Sequence, residues 1–228
     1  AKAIEVLRKS GEIKAAKKAD RTTNEGLVAI IKEDNKAAAV VLACETDFVS
    51  RNEDFISAVS EYARKLLITP EVDFRNWAEE NIKSELVLKI GENIKLGDFG
   101  IIEGQVLGTY LHSNKKIGAV VALTGGSEEL ANDLAMQVVA MTPKYLSSEN
   151  IPVEEIEKEK EIYGEQMKAE NKPEAIMEKI ILGKLNKYYE DVCLLNQPFI
   201  KDDNQKISDL LREAGEGITI MEFRKFSV

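Results

Sequence analysis

The residues that decide the fold are Ala37-Ala38-Ala39-Val40-Val41-Leu42-Ala43-Cys44, an unbroken run of small and apolar side chains. A second β-type run, Gly26–Lys32, precedes it across the polar turn Glu33-Asp34-Asn35-Lys36. Two such runs joined by a short polar turn are typical of an antiparallel β-hairpin. A helix is predicted from about Glu53, because apolar residues then recur at helical spacing: Phe55, Val59, Tyr62, Ala63, Leu66 and Leu67. The sequence therefore predicts a strand–turn–strand–helix unit, followed by a further helix near Asp73–Lys89.

The same order of patterns recurs further along the chain. A strand-like segment, Gly104–Leu111, leads through the polar turn Ser113–Lys116 into the apolar run Ile117–Leu123. Ser127 can then cap a helix whose apolar face carries Leu130, Leu134, Val138 and Met141. Two copies of one strand–turn–strand–helix unit indicate a duplication. Because hairpin strands followed by helices imply antiparallel sheets covered by helices, the predicted fold class is α+β with two related subdomains.

A different pattern, rich in Glu and Lys, begins after Pro152. The segments Val153–Ala169 and Glu174–Tyr189 each have a thin apolar stripe at helical spacing, with the turn Asn171-Lys172-Pro173 between them. This pattern predicts an antiparallel helical hairpin inserted at about residues 152–190. The sparse stripe favours a projecting arm that serves a partner or a homodimer, and a simple packed helix pair is the alternative.

The domain boundaries follow from these patterns. The first core subdomain is predicted over residues 22–103 and the second over residues 104–228, with the hairpin inside the second. A short helix ending at Gly215 and a last strand, Ile218–Phe226, complete the second subdomain. Residues 1–21 differ from the rest, since they hold seven basic and three acidic residues. This basic stretch is either a contact for RNA or an acidic partner, or a solvated linker.

Composition excludes several classes of protein. The 228 residues are 44% hydrophobic and 31% charged, which is typical of a soluble globular chain. A formal net charge of −9 disfavours general nucleic-acid binding through phosphate contacts. The two cysteines, Cys44 and Cys193, lie too far apart in sequence for a zinc pattern or a disulfide framework, and fit a reducing, cytosol-like compartment. No apolar run approaches the ~20 residues that a membrane span requires.

The sequence contains no recognisable catalytic centre. Walker-type and dinucleotide-binding phosphate loops are absent. The segment Gly125-Gly126-Ser127, placed before a helix, can bind an anion or simply cap that helix. Cys44 ends an apolar strand and is interpreted as a small buried residue rather than a nucleophile. The single histidine, His112, lies next to a polar turn, and a hydrolase or transferase that uses His112 with a Glu is a rival interpretation.

One unusual segment, Cys44–Asn52, lies where the buried strand gives way to a helix. Loops at such edges carry function more often than core positions do. Thr46 and Asp47 can cap local N–H groups and so make the segment a stiff turn. Such a turn either holds Phe48 outward as an apolar wedge beside a carboxylate, or tucks Phe48 and Val49 under the following helix.

The residues Val41–Asn52 resemble the signature of the elongation factor Ts family, which runs roughly E-V-N-C-[EQ]-T-D-F-V-[AS]-[KR]-N. Val41 and Ala43 replace the usual Glu and Asn, whereas the T-D-F-V core is intact. Gln137 stands where many relatives have His. Further motifs fall in the family's order: Arg8-Lys9-Ser10-Gly11, Ala15-Ala16-Lys17-Lys18-Ala19, Lys89-Ile90-Gly91-Glu92-Asn93-Ile94, Leu134-Ala135-Met136-Gln137-Val138-Val139-Ala140 and Asn196-Gln197-Pro198-Phe199.

The resemblance implies a domain organisation. The family core has two related α+β subdomains, and a coiled-coil hairpin emerges from the second. The family normally begins with a small ubiquitin-associated-like helical domain. Only the last helix of that domain, about Ala1–Ser10, is expected in this sequence, and the rest of residues 1–21 is its linker.

The resemblance also implies a function, that of a guanine nucleotide exchange factor of translation elongation. The implied partner is elongation factor Tu with bound GDP. Thr46, Asp47, Phe48 and Val49 are expected to enter its nucleotide-binding domain, dislocate Mg²⁺ and disturb the phosphate loop so that GDP leaves.

The remaining implications concern the second subdomain and the setting. Met136, Gln137 and Val138 are expected to hold another domain of the GTPase. No bond is made or broken, so the protein is expected to be no enzyme and to need no cofactor, nucleic acid or membrane. The expected compartment is the bacterial cytoplasm, with an organellar matrix as the alternative. A rival function is an interaction scaffold that uses the helical hairpin.

Overall fold

The structure is a computed structural model that describes residue 13 and residues 16–169 and 173–228, with the side chains of 174 and 175 left aside. The predicted helix at residues 1–10 and part of the predicted turn at 171–173 lie outside the described residues. Contacts divide the chain into two compact units, which we call the sheet unit (residues 1–139 and 220–228) and the hairpin unit (residues 140–219).

The elements of the described residues are these. The strands are β1 (Glu25–Glu33), β2 (Lys36–Cys44), β3 (Ile94–Glu103), β4 (Val106–Leu111), β5 (Ile117–Leu123), β6 (Pro198–Phe199), β7 (Asp202–Lys206) and β8 (Ile220–Ser227). The α-helices are α1 (Asp47–Ser50), α2 (Glu53–Leu67), α3 (Glu71–Asn81), α4 (Val87–Ile90), α5 (Glu128–Met141), α6 (Val153–Ala169), α7 (Glu174–Val192) and α8 (Ile207–Ala214). A π-helical turn, Ile82–Leu86, joins α3 to α4, and 3₁₀ turns occupy Ser148–Asn150 and Leu194–Asn196.

The sheet unit contains two antiparallel three-stranded sheets of matching order, β1-β2-β3 and β4-β5-β8. Each begins with a hairpin of consecutive strands and adds a third strand from later in the chain. The predicted α+β class is confirmed, and the two hairpins are the two copies that the sequence repeat indicated. The division of the chain at residue 103 remains a prediction.

Strand β2 is buried on both faces, which explains its apolar run. Successive side chains of a strand point to opposite faces. Ala38, Val40 and Leu42 belong to the cluster that includes Phe55, Val59 and Leu66 of α2. The alternate residues of β2, Ala37, Ala39 and Val41, belong to a separate cluster between the two sheets. Its other buried members come from the neighbouring strands and from the second sheet: Val28, Ile102, Leu107, Val120, Ala122 and Phe226. Helices, first sheet and second sheet therefore form successive layers.

Helix α5 covers the outer face of the second sheet and lies very close to β4. A Cβ built on Gly108 would lie 1.9 Å from the backbone carbon of Ala131 in α5. The side chain of Asn132 reinforces this contact, because its Oδ1 accepts a hydrogen bond from the N–H of Thr109 at 2.8 Å. Glycine at position 108 is thus required by the approach of the helix.

Strand β3 is an element that the sequence analysis did not predict. Its residues Gly97, Asp98 and Gly100 belong to types that are depleted in strands. The structure explains both glycines by close approach. A Cβ on Gly97 would lie 3.1 Å from the side chain of Val41, and one on Gly100 would collide with the guanidinium of Arg224. That guanidinium donates to Asp98 at 2.6 Å and to the carbonyl of Phe99 at 3.0 Å, which joins β3 to β8.

The hairpin unit contains α6 and α7, which pack as the predicted antiparallel pair. Towards the turn end of α6, Gln166 accepts a hydrogen bond from the ammonium of Lys184 at 2.8 Å, and the same ammonium lies over the ring of Tyr163. At the other end, an apolar cluster contains Ile151, Val192 and Cys193. Within the described residues, no helix combines the length and the apolar character needed to cross a membrane.

A carboxylate fastens the base of the hairpin. Glu155 in α6 accepts hydrogen bonds from the hydroxyls of Tyr145, at 2.6 Å, and Tyr188. These two hydrogen bonds lower the pKa of Glu155 below its ordinary value, because they favour the charged carboxylate. The same contacts raise the pKa of Tyr145.

We expect Glu155→Gln to reduce the acid sensitivity of the hairpin unit. A carboxyl group whose pKa is lower in the folded state stabilises that state above the unfolded pKa, and the stabilisation is lost as pH falls through the folded pKa. Thermal unfolding of the parent protein and the variant, measured from neutral pH down into the acid range, should show a smaller decrease for Glu155→Gln. Glu154→Gln, a change at the exposed neighbouring carboxylate, should follow the parent. Parallel curves for Glu155→Gln and the parent would contradict the assignment.

Candidate partner-binding site

The segment between β2 and α2 contains the short helix α1, and an N-cap residue precedes each of the two helices. Thr46 is the N-cap of α1, and its Oγ1 accepts a hydrogen bond from the N–H of Val49. Asn52 is the N-cap of α2, and its Oδ1 accepts from the N–H of Asp54 at 2.8 Å. Ser50, which is buried, donates its hydroxyl to the carbonyl of Asp47 at 2.9 Å. These local bonds make the turn stiff. Thr46 is a cap as predicted, whereas the side chain of Asp47, the other predicted cap, pairs with Arg51.

Phe48 points away from the core. Its exposed fraction is 82%, whereas the adjacent Val49 packs against the cluster between the first sheet and α2. The sequence left open whether Phe48 points outward or both residues pack under the following helix. In the structure Phe48 points outward and only Val49 packs inward. A phenyl ring left in water forgoes about 1.5–3 kcal/mol of possible burial. A single exposed apolar side chain is common at a protein surface. Phe48 is a candidate contact residue because it lies on a capped turn, next to a carboxylate.

Asp47 supplies a carboxylate next to the exposed ring. It lies 3.0 Å from the guanidinium of Arg51 across one helical turn, and its side chain is 46% exposed. A surface pair of this kind contributes little to stability. The carboxylate can therefore exchange Arg51 for another partner at low cost.

A second polar segment fixes the position of the turn. The carboxylate of Glu92 accepts hydrogen bonds from the N–H groups of Glu45 and Thr46, each at 3.0 Å, and from the hydroxyl of Thr46 at 2.6 Å. In return, Glu45 accepts a hydrogen bond from the N–H of Asn93 at 2.6 Å. The sequence analysis placed Glu92 and Asn93 in a family motif but gave them no role, because the two segments are far apart in the chain.

The turn between β4 and β5 lies beside α1. Residues of both segments line a groove of about 370 Å³: Leu27, Asp47, Ser50, Arg51, Ile56, Ser113, Asn114, Lys115 and Lys116. The N–H of Val28 donates to the carbonyl of Lys115 at 2.7 Å, so the turn is anchored to β1. Lys116 forms an ion pair with Glu25. The groove beside Asp47 is therefore lined by residues next to both sheets.

Neither Cys44 nor His112 lies in a catalytic arrangement. Cys44 is fully buried, and burial, with the carboxylates of Glu92 and Glu25 nearby, raises the pKa of its thiol to about 12. A thiol in this state is a poor nucleophile. Nδ1 of His112 lies 3.3 Å from the hydroxyl oxygen of Tyr110 at the surface. Among the residues that the structure describes, no cluster of His, Cys, Asp and Glu has the arrangement of a metal site.

The anion site considered at Gly125-Gly126-Ser127 has a structural explanation. The hydroxyl of Ser127 accepts a hydrogen bond from the N–H of Leu130 at 3.1 Å, at the start of α5. This is the capping arrangement that the sequence analysis gave as the alternative to anion binding.

Met136, Gln137 and Val138 lie on α5 and differ in exposure. Gln137 and Val138 are fully buried, and Gln137 makes polar contacts. Met136 is half-buried and has free surface. Direct contact of all three with a partner remains a prediction. Of the three side chains, only that of Met136 is partly exposed to solvent.

The fold and this site together define a class of protein: a two-sheet α+β protein that presents one aromatic side chain beside a carboxylate on a braced turn. Comparison with known proteins agrees on one family. The family described as Elongation factor TS matches residues 45–228. Elongation factor Ts from Marinobacter nauticus is 43% identical over 93% of this chain and 75% of its own length. Elongation factor Ts from Hahella chejuensis is 40% identical, over 96% and 79%, and that from Deinococcus deserti is 39% identical, over 100% and 88%. The chain belongs to the elongation factor Ts family of translation elongation factors.

We expect Phe48→Ala to leave the folded state almost unchanged. The phenyl ring makes little use of the core, so the free energy of unfolding should change by less than about 0.5 kcal/mol. Phe55→Ala is the matched control, because Phe55 is fully buried in the cluster of the first sheet. That control should lose about 3–5 kcal/mol. Urea denaturation of both variants measures the difference, and a similar loss for Phe48→Ala would show that its ring packs in the core.

Proposed function

We propose that this protein is a guanine nucleotide exchange factor, which binds elongation factor Tu with GDP and promotes the release of GDP. The observation that carries the proposal is the exposed ring of Phe48, held beside the carboxylate of Asp47 on a stiff turn. Family membership supports it, since the family is one of translation elongation factors.

The proposed action is a disturbance of the Mg²⁺ and phosphate site of the partner. A bound Mg²⁺ demands near-ideal octahedral geometry and is held through phosphate oxygens, water and one or two protein oxygens. A rigid apolar side chain pushed in beside those ligands displaces them, and the nucleotide loses affinity. The Thr46–Val49 turn supplies such a wedge: Thr46 and Val49 anchor it, Phe48 enters the partner, and Asp47 adds a negative charge that competes for polar groups.

Release of GDP in this scheme is a coupling between two ligands of one protein. If binding of the exchange factor weakens GDP binding by some factor, GDP weakens binding of the exchange factor by the same factor. No bond chemistry is involved, so the proposed function needs no enzyme activity and no cofactor. The net charge of −9 is compatible with a protein partner and gives no support for nucleic-acid binding.

A second contact is proposed on α5, at the surface around Met136. Gln137 and Val138 are buried and fix the orientation of this part of the helix. Met136 has the free surface. A flexible thioether adapts to an apolar partner surface. This contact would add affinity for another domain of the GTPase, whereas the wedge would act on the nucleotide.

The alternative function is that of an interaction scaffold based on the hairpin. Exposed apolar side chains on α6 and α7 favour it: Ile162, Ile176 and Leu182, with exposed fractions of 36%, 45% and 56%. The same surface is the candidate for a homodimer contact. A scaffold predicts binding without nucleotide release, so the two functions give different results with one partner preparation.

The test uses elongation factor Tu loaded with fluorescently labelled GDP and follows the loss of fluorescence at increasing concentrations of this protein. We expect acceleration of GDP release, with Phe48→Ala lowering the rate at saturation at least tenfold. Met136→Ala should raise the concentration for half-maximal release and leave the rate at saturation nearly unchanged, since each tenfold change in affinity is about 1.4 kcal/mol. Binding without acceleration would reject the exchange function and favour the scaffold.

A further inference from the structure

The backbone at the end of β2 needs polar partners from outside the sheet. The ladders of β2 with β1 and β3 end at Cys44, which is paired with Glu25 and Ile94. The next two N–H groups, of Glu45 and Thr46, therefore have no strand to bind. Polar backbone groups in such partly buried positions are nearly always satisfied. Here a single oxygen of Glu92, Oε2, accepts from both at 3.0 Å.

The other oxygen of Glu92 acts on the helix cap. Oε1 accepts the hydroxyl hydrogen of Thr46 at 2.6 Å. With its hydrogen directed to Glu92, Oγ1 of Thr46 presents its lone pairs to α1, where it accepts from the N–H of Val49. The carboxylate of Glu92 thus fixes both the backbone and the side chain of the residue at which α1 begins.

The contact with Glu92 is one part of a larger hydrogen-bond network, which also includes Asn93. Asn93, which is 4% exposed, donates its N–H to Glu45 at 2.6 Å. Its side-chain amide donates to the carbonyl of Arg21 at 2.8 Å and to that of Ala19 at 3.3 Å. Three segments that are distant in the chain are therefore joined at Glu45, just before the N-cap of α1.

Helix α1 depends on this support because it has only four residues. A helix so short has no stability of its own, since the cost of nucleation exceeds the gain from its few hydrogen bonds. The direction of Phe48 is consequently set by what holds the two ends of α1. The C-terminal end is held by the packing of Val49 and the cap of α2, and the N-terminal end is held through Thr46 by Glu92.

We infer that Glu92 is a positioning residue for nucleotide exchange: through Glu45 and Thr46 it holds the first turn of α1 so that Phe48 is presented in one orientation. The inference rests on the proposed function. Glu92 acts through Thr46 and Phe48 and makes no contact with nucleotide, so it affects the rate of release at saturation more than the affinity for the GTPase.

The first arm of the test measures GDP release for Glu92→Ala with the same labelled partner. We expect the rate at saturation to fall about tenfold, which corresponds to the loss of roughly one charge-assisted hydrogen bond. The concentration for half-maximal release should change less than threefold. Glu92→Gln keeps one carbonyl acceptor and should give an intermediate rate, which rescues part of the loss and also covers the case in which Glu92→Ala does not fold.

The matched control is Glu71→Ala. The carboxylate of Glu71 also accepts a hydrogen bond from a backbone N–H of the sheet unit, that of Ile101 at 3.0 Å, but it lies at the start of α3 and not beneath α1. A general loss of core stability would affect both variants. Glu71→Ala should leave the rate at saturation unchanged, and thermal unfolding of both proteins verifies that each is folded at the assay temperature.

The second arm combines each Glu92 variant with Phe48→Ala in a double-mutant cycle. If Glu92 works through Phe48, the Glu92 change should alter the rate less than twofold once the ring is gone. Equal fold-losses with and without the ring would overturn the inference, as would a saturating rate for Glu92→Ala equal to that of the parent.

The two possible failures are distinguishable. If Phe48→Ala slows GDP release and Glu92→Ala does not, the inference fails and the proposed function stands. If Phe48→Ala leaves release unchanged, the wedge is rejected and the inference fails with it. Amide hydrogen exchange gives a readout that needs no partner: the N–H groups of Glu45, Thr46 and Val49 should exchange faster in Glu92→Ala than in Glu71→Ala. Equal protection in the two variants would overturn the inference on structural grounds.

Discussion

The burial of β2 between two apolar layers is the constraint on which the rest of the sheet unit depends. The strand can be covered on both faces because it carries Ala37, Ala38 and Ala39 at its start and compact β-branched residues after them. Small side chains allow a sheet and a helix layer to approach a central strand together, and interiors are close-packed enough for each methylene to matter. A strand held from both sides has a fixed end. Cys44, at that end, is therefore a rigid point from which the following turn can be directed outward.

The candidate site consists of one exposed ring, that of Phe48, on a turn that begins at this rigid point. Three residues of the turn are held in place, Thr46 by Glu92, Ser50 by a backbone carbonyl and Val49 by packing, whereas the ring of Phe48 is exposed. Holding a contact residue in its bound orientation before the partner arrives reduces the entropy lost on binding.

Regular periodic patterns were the predictable part of this molecule. Strand Ile117–Leu123 and helix Val153–Ala169 have the predicted bounds. The strand is an unbroken apolar run between turn residues, and the helix has an apolar stripe at helical spacing. Strand β3 was not predicted, because glycines are rare in strands. Gly97 and Gly100 are explained by close contacts with residues that only the folded sheet brings near. The direction of Phe48 could not be predicted either, as a four-residue helix has no period to read. The role of Glu92 depends on a contact between segments 46 residues apart, which no local pattern encodes.

The position of β8 has a consequence for the order in which the chain can fold. Its partner β5 is complete at Leu123, yet β8 follows the whole hairpin unit, residues 140–219, in the sequence. On the ribosome, β1 and β2 can pair as soon as they emerge, and β4 and β5 soon after, because these contacts are local. The edge of β5 that pairs with β8 stays unpaired until the hairpin unit has been synthesised. Pairings of such long separation are slow to form and leave an unpaired strand edge in the interval. Co-translational folding of the second sheet is thus completed late, and the inserted hairpin unit sets the length of the delay.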